Sequence, residues 1–152
     1  MGARTYRELE AWQLCEQIRV RVVAETERGK AKLDLRFCDQ LRSAAEDAAS
    51  NLAEGFVRFH PRVFAQFIGY ALSSLAEIQE RTRHGHDRGY FSDTVAAELV
   101  VLCVRADKAA RSLRQYLWTA PMAAVPYDSK SAPRRNPRTA AKKITKGRME
   151  PS

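Results

Sequence analysis

Apolar residues recur at alternating intervals of three and four along four segments of the chain, and this spacing limits the fold more than any other feature. Such a spacing keeps side chains on one face of an α-helix. No segment of any length alternates apolar and polar residues as a half-buried strand would. Four amphipathic helices with short connections pack most simply as antiparallel neighbours. The sequence therefore predicts an all-α, antiparallel up-and-down four-helix bundle.

We call each such line of apolar residues along one helix face a seam. The second and fourth segments carry the longest seams. The second seam consists of Cys38, Leu41, Ala45, Ala48, Leu52, Gly55 and Phe59. The fourth consists of Val95, Leu99, Leu102, Ala106, Ala109, Leu113 and Tyr116, with Cys103, Ala110 and Leu117 beside it. Because the middle of the second seam is built from small residues, we expect another helix to approach it closely. Gly55 costs about 1 kcal/mol in a helix relative to alanine, so some feature of the protein must need its missing side chain.

Start and stop signals bound the predicted helices. The first helix is expected to start at Thr5, which forms a capping box with Glu8. The later starts are marked by Asp34, by Pro61, and by Ser92 or Asp93. The predicted stops are Gly29, the glycines of residues 84–89, and Pro121.

The net charge of +8 is unevenly distributed. Residues 1–120 carry 18 Lys and Arg against 16 Asp and Glu, a net of +2. Residues 121–152 carry eight Lys and Arg against two acidic residues, a net of +6, and contain five of the six prolines. A segment so poor in large apolar residues cannot bury enough surface to fold. We therefore expect a four-helix bundle over residues 1–120 and a disordered basic tail over residues 121–152.

The basic tail points to an anionic partner, nucleic acid in the first place. Its candidate nucleic-acid-binding residues are Lys130, Arg134, Arg135, Arg138, Lys142, Lys143, Lys146 and Arg148. Contacts to phosphates would give an affinity that is independent of sequence and falls steeply with salt. The alternative is a tail that only keeps the protein soluble.

The sequence contains no constellation typical of an enzyme. It lacks a phosphate-binding loop, a dinucleotide fingerprint, a zinc-protease motif and a nucleophile elbow. We therefore predict a non-enzymatic protein with no catalytic residue and no cofactor. His84, His86 and Asp87 could in principle hold a metal, but a glycine-flanked segment without rigid support is a poor metal site. A polar turn without metal is the preferred interpretation.

Cysteine usage and hydropathy bear on the cellular location. Cys15, Cys38 and Cys103 are widely spaced and odd in number, so we expect free thiols packed as small apolar residues in a reducing cytoplasm. No apolar run approaches the ~18 residues that a membrane-spanning helix needs. The sequence thus predicts a cytoplasmic protein that does not contact a membrane.

Polar residues stand beside the seams of the second and third helices. Glu54 and Arg58 are spaced for an ion pair within one helix. If the chain reverses near residue 60, Glu77 comes level with Arg42 or Ser43, and we predict a pair between Arg42 and Glu77. The alternative is that both charges are solvated on an exposed face.

Several short motifs around these residues resemble one protein family. They are residues 49–56 (ASNLAEGF) followed by Arg58, residues 71–77 (ALSSLAE), the opening residues 6–13 (YRELEAWQ), and residues 89–91 (GYF) before the last helix. In order and spacing they are similar to the 23S rRNA intervening-sequence protein family, also called the four-helix bundle protein family. The resemblance covers about residues 5–118. It makes Asn51, Glu54, Gly55, Arg58, Ser74 and Glu77 the family-signature positions, which we expect to be structural.

The resemblance also implies an assembly and possible partners. It implies a homopentamer of four-helix bundles, and a relation to accessory proteins of diversity-generating retroelements, which bind a reverse transcriptase and nucleic acid. The leading hypothesis is therefore a non-enzymatic oligomeric scaffold that binds nucleic acid, with RNA favoured, through basic surface and tail. The alternative is a protein-interaction adaptor, such as an accessory subunit of a reverse transcriptase.

Overall fold

The computed structural model describes residues 2–121, and these residues fold into four long helices. The helices are α1 (Glu10–Thr26), α2 (Leu35–Val57), α3 (Pro61–Asp87) and α4 (Asp93–Thr119). Two single-turn 3₁₀ helices, Tyr6–Glu8 and Ala31–Leu33, precede α1 and α2. No strand occurs within residues 2–121. The predicted all-α four-helix architecture is confirmed. The predicted tail, residues 121–152, lies outside the described residues except for Pro121.

The helices run antiparallel, each packed against the next, with α1 closing against α4. Arg21 late in α1 forms an ion pair with Glu98 early in α4. Arg62 at the start of α3 donates a hydrogen bond to the carbonyl of Trp118 at the end of α4. The beginnings of α1 and α3 and the ends of α2 and α4 therefore meet at one end of the bundle. We call this the exit end, comprising residues 4–12, 54–62 and 111–119, because the chain leaves the bundle there.

The core forms where the four helical seams meet along the bundle axis. Its largest fully buried side chains are aliphatic: Ile18, Leu41, Leu52, Ile68, Leu75, Ile78 and Leu99. Small residues fill the middle of α2, where Ala45 and Ala48 are completely buried. This composition lets a neighbouring helix approach α2 closely, as the sequence predicted.

Most predicted boundaries are confirmed by the observed caps. The Asp34 carboxylate accepts a hydrogen bond from the backbone N–H of Phe37, and the Ser92 hydroxyl accepts one from Val95. Pro61 occupies the first turn of α3. Gly29 follows α1 with a φ of 60°, a conformation that glycine adopts without strain.

The predicted start of the first helix is wrong. Thr5 makes no side-chain capping hydrogen bond, and Glu8 accepts its hydrogen bond from the backbone of Arg4 instead. The first turn is a 3₁₀ helix, and Leu9 then adopts extended dihedral angles before α1 begins at Glu10. A separate turn thus forms where the capping box was predicted, and the extended Leu9 lies between that turn and α1.

The ends of two predicted seams are also wrong. Phe59 is 89% exposed because α2 ends at Val57, and His60 is extended as the residue before a proline usually is. Tyr116 is exposed, and Leu117 is buried in its place. A seam of threes and fours drifts by about 20° per heptad on a straight helix. Leu99 and Leu117, which are five whole helical turns apart, therefore stay on the core face while Tyr116 rotates off it.

The segment around the two histidines of α3 is helix rather than turn. α3 continues through His84, Gly85 and His86 to Asp87. Gly85 is buried, and a methyl group in its place would lie 2.6 Å from the Phe91 ring and 2.7 Å from the Phe37 ring. The turn predicted there begins only at Arg88, because Gly85 serves close packing instead of chain reversal.

Candidate nucleic-acid interface

The family-signature residues lie on α2 and α3, which pack against each other. Two contacts join these helices: Arg81 donates to Gln40 at 2.6 Å, and the Arg58 guanidinium lies 5.7 Å from the centre of the Phe67 ring. Asn51 donates to the carbonyl of Asp47, and the Ser74 hydroxyl donates to that of Tyr70. Both bonds span four residues within a single helix, so these two hydrogen bonds do not connect α2 with α3.

The charged signature residues also form ion pairs within their helices. Glu54 accepts from Arg58 at 2.6 Å on α2. Glu77 accepts from Arg81 at 2.7 Å on α3. The first pair agrees with the spacing noted in the sequence. Glu54, Arg58 and Glu77 are exposed, and an exposed ion pair typically contributes less than about 1 kcal/mol, whereas the Arg81 side chain is only 16% exposed.

The predicted pair between Arg42 and Glu77 stays a prediction. The Nε of Arg42 donates to the hydroxyl of Thr26 at 2.7 Å. Glu77 accepts through Oε1 from Arg81. The hydroxyl of Thr26 donates in turn to the carbonyl of Val22. Arg42 therefore connects α2 to the C-terminal turn of α1.

Gly55 is the signature residue whose role the packing explains. A methyl group at this position would lie 2.6 Å from Cδ2 of Phe64 and 2.6 Å from Cβ of Phe67. Cβ is fixed to the backbone of α3, so that helix would have to move. Gly55 therefore sets the distance between α2 and α3 near the exit end.

Arginines and exposed aromatic rings are concentrated at the exit end. Residues 4–12, 54–62 and 111–119 carry six arginines against three glutamates. At the opposite end, residues 25–39 and 80–93 carry seven basic and seven acidic residues. Phe59, Tyr116 and Trp118 are all exposed at the exit end. The predicted tail residues Lys130, Arg134, Arg135, Arg138, Lys142, Lys143, Lys146 and Arg148 lie outside the described residues, and the chain reaches them from this end.

A second exposed surface lies on the outer side of α4. Val100, Val101 and Val104 are exposed together there, and we call them the α4 valine face. A groove between α1 and α4, lined by Val20 and Leu102 among others, adds further apolar surface nearby. Exposed apolar residues grouped in this way are typical of surfaces that bind another protein.

The remaining candidates for chemistry do not assemble into a site among the described residues. His86 bonds Asp93 at 2.6 Å, which ties the end of α3 to the start of α4. Within residues 2–121, no group of three or more His, Cys, Asp and Glu residues is placed to hold a metal ion. All three cysteines are free and buried, and burial raises the pKa of Cys15 and of Cys103 to about 12. None of the described helices is long and apolar enough to cross a membrane.

The comparison with protein families decides the classification. The family described as 23S rRNA-intervening sequence protein matches residues 7–112. The chain belongs to this family. The match spans α1, α2 and α3 and most of α4, so the resemblance seen in the short motifs is confirmed. A search of the curated proteins found no match. The family name and the helical fold give no sign of catalytic activity.

Sequence reasoning missed the aromatic part of the exit end. It assigned Phe59 and Tyr116 to core seams, and it did not single out Arg62 or Trp118. The one available signal was Pro61, which restricts the preceding residue and so ends α2 before Phe59. Nothing in the spacing indicates that Arg62 and Trp118 meet, since 56 positions separate them.

Proposed function

We propose that this protein is a non-enzymatic oligomeric scaffold that binds RNA through its cationic exit end and the basic tail. The observation that carries the proposal is the segregation of charge. Arginines outnumber acids two to one at the exit end, and a segment with eight further cations continues from it. Arginine and lysine bind phosphate groups and release counterions from the nucleic acid. The family name supports RNA as the partner.

Self-association is supported by the α4 valine face. Three exposed valines on one helix leave apolar surface in water, and burying it against a second copy is favourable. A homopentamer is the order of assembly implied by the family resemblance. Several copies would bring several tails to one RNA, and linked sites bind more tightly than a single site.

The proposal is tested by a salt titration of RNA binding. The full-length chain is compared with a full-length variant in which all eight tail cations are replaced by glutamine, using a labelled RNA and fluorescence anisotropy. Each phosphate contact adds about 0.7 to the slope of log affinity against log salt for a single strand. We expect the variant to bind more weakly and with a slope smaller by as much as about 6. Equal affinities and slopes for both proteins would reject the tail as a binding element.

A second candidate function is a protein-interaction adaptor, for example an accessory subunit of a reverse transcriptase. The exposed α4 valine face favours it, because the same apolar surface could bind a different protein. Sedimentation of the purified protein separates the two uses of that surface. A monomer at micromolar concentration favours the adaptor, whereas a discrete oligomer favours the scaffold.

A further inference from the structure

Phe59 follows the C-cap of α2, where a left-handed residue commonly ends a helix but is usually glycine. Its φ is 52°, and it is the only non-glycine residue with positive φ among residues 2–121. This region is unfavourable for bulky side chains and is normally occupied by Gly, Asn or Asp. The ring is nevertheless 89% exposed, so hydrophobic burial does not offset the free-energy cost of this backbone conformation. Strained residues of this kind cluster at functional sites.

A second aromatic surface at the same end of the bundle is coupled to a cation. The Arg62 guanidinium lies 4.3 Å from the centre of the Trp118 ring and donates a hydrogen bond of 2.7 Å to the Trp118 carbonyl. Trp118 remains 49% exposed despite this contact. Two contacts fix the guanidinium against the ring, which leaves a flat, positively charged surface at the end of α4.

The charge of the surroundings identifies the class of ligand. Exposed rings alone would suit a protein partner, but the exit end that carries these rings has six arginines and three glutamates. A cationic surface with exposed aromatic and guanidinium planes is the arrangement by which proteins hold single-stranded nucleic acids. Phosphates contact the cations, while unpaired bases stack on the flat side chains.

We propose that the exit end is a binding site for single-stranded nucleic acid, in which bases stack on Phe59 and on the Arg62–Trp118 pair. This inference rests on the proposed RNA-binding function and adds the form of nucleic acid that is recognised. A duplex keeps its bases inside its own stack and cannot supply them. The site therefore distinguishes single strands from duplexes, which tail cations do not.

Phe59→Gly is the variant that separates binding from folding. Glycine adopts a φ of 52° without strain, so the variant should melt no lower than the unaltered protein. Leu33→Ala is the matched control, since it removes an equally exposed apolar side chain at the opposite end of the bundle. Phe59→Tyr keeps the ring and should keep the binding. All variants are made in the full-length chain.

The experiment measures affinity for a labelled homopolymeric RNA strand, for DNA of the same length and for duplex RNA. We expect Phe59→Gly to bind both single strands about tenfold more weakly, because stacking on one aromatic side chain is lost. Its salt slope should not change, since no phosphate contact is removed. Duplex binding should be unaltered, and Leu33→Ala should behave as the unaltered protein. A loss on RNA alone would show that the 2′-hydroxyl takes part, and an equal loss on DNA that stacking suffices.

The outcomes distinguish this inference from the function on which it rests. If the unaltered protein binds no nucleic acid at any salt concentration, the proposed function fails. If it binds and Phe59→Gly binds single strands equally well, the stacking site is refuted while the proposed function stands. In that second case the exposed rings would be assigned to a protein partner.

Discussion

Replacing Gly55 with alanine gives the sharpest test of how α2 and α3 pack. Alanine is the better helix former by about 1 kcal/mol, so helix propensity alone predicts a more stable protein. The structure predicts the opposite. The new methyl group would lie 2.6 Å from Cβ of Phe67 and 2.6 Å from the Phe64 ring. Overpacking a core typically costs 1–3 kcal/mol, and a contact with an atom fixed to the backbone belongs at the upper end of that range.

The net effect of Gly55→Ala is therefore a loss of about 2 kcal/mol of stability. For a bundle of this size that lowers the melting temperature by about 8 °C. Gly69→Ala is the matched control, because Gly69 lies inside α3 and a methyl group there meets nothing within 4 Å. It should raise the melting temperature by about 4 °C.

Thermal unfolding followed by circular dichroism measures both variants at one protein concentration. The decisive quantity is the sign of each shift relative to the unaltered protein. If Gly55→Ala were stabilised as much as Gly69→Ala, the close approach of α2 and α3 would be refuted. A loss of stability in both variants would instead show that a methyl group at position 69 is not accommodated as the structure indicates.

Three further predictions concern the opposite end, the core and the outer face of the bundle. The hydrogen bonds from the Phe37 backbone and the Tyr90 hydroxyl lower the pKa of Asp34 below 3.8. The stability that the Asp34 carboxylate contributes is therefore complete above pH 3.8 and is lost as the pH falls through the lowered pKa. Acid melts of Asp34→Asn should lose this part of the pH dependence. Burial raises the pKa of all three thiols, Cys15, Cys38 and Cys103. They should therefore resist a thiol reagent at about pH 8 and react only when the protein unfolds. Rapid labelling of the native protein would contradict the buried positions of these thiols. Val101→Lys should reduce the oligomer mass measured by light scattering, whereas Gln115→Lys, on the same outer side of α4, should not. Equal masses for the two variants would exclude the α4 valine face as the subunit contact.

The sequence predicted the architecture well because the signals for it are local. A helix face is visible in spacings of three and four, and caps such as Asp34 and Ser92 act within one turn. Errors arose where a local signal competes with tertiary packing. Gly85 resembles a turn residue by type, yet two phenylalanine rings from other parts of the chain require its missing side chain inside α3.

The candidate site was harder to predict than the fold. The signature residues Asn51 and Ser74 were found as polar positions beside a seam, but their partners are backbone carbonyls of their own helices. The charge of the tail was visible in composition alone. The exposure of the aromatic rings at the exit end depends on the residue at which α2 ends and on which face of α4 is turned to the core. A sequence pattern would have to fix both to within one or two residues.

The topology of the bundle explains why the tail and the exposed rings share one end. In an antiparallel bundle with an even number of helices, the chain enters and leaves at the same end. The connection between the second and third helices lies at that end as well. Phe59 and Pro121 are thus brought to the same end although 62 positions separate them in sequence. The described chain thus ends at Pro121 on the same end of the bundle as the surface on which we propose that bases stack.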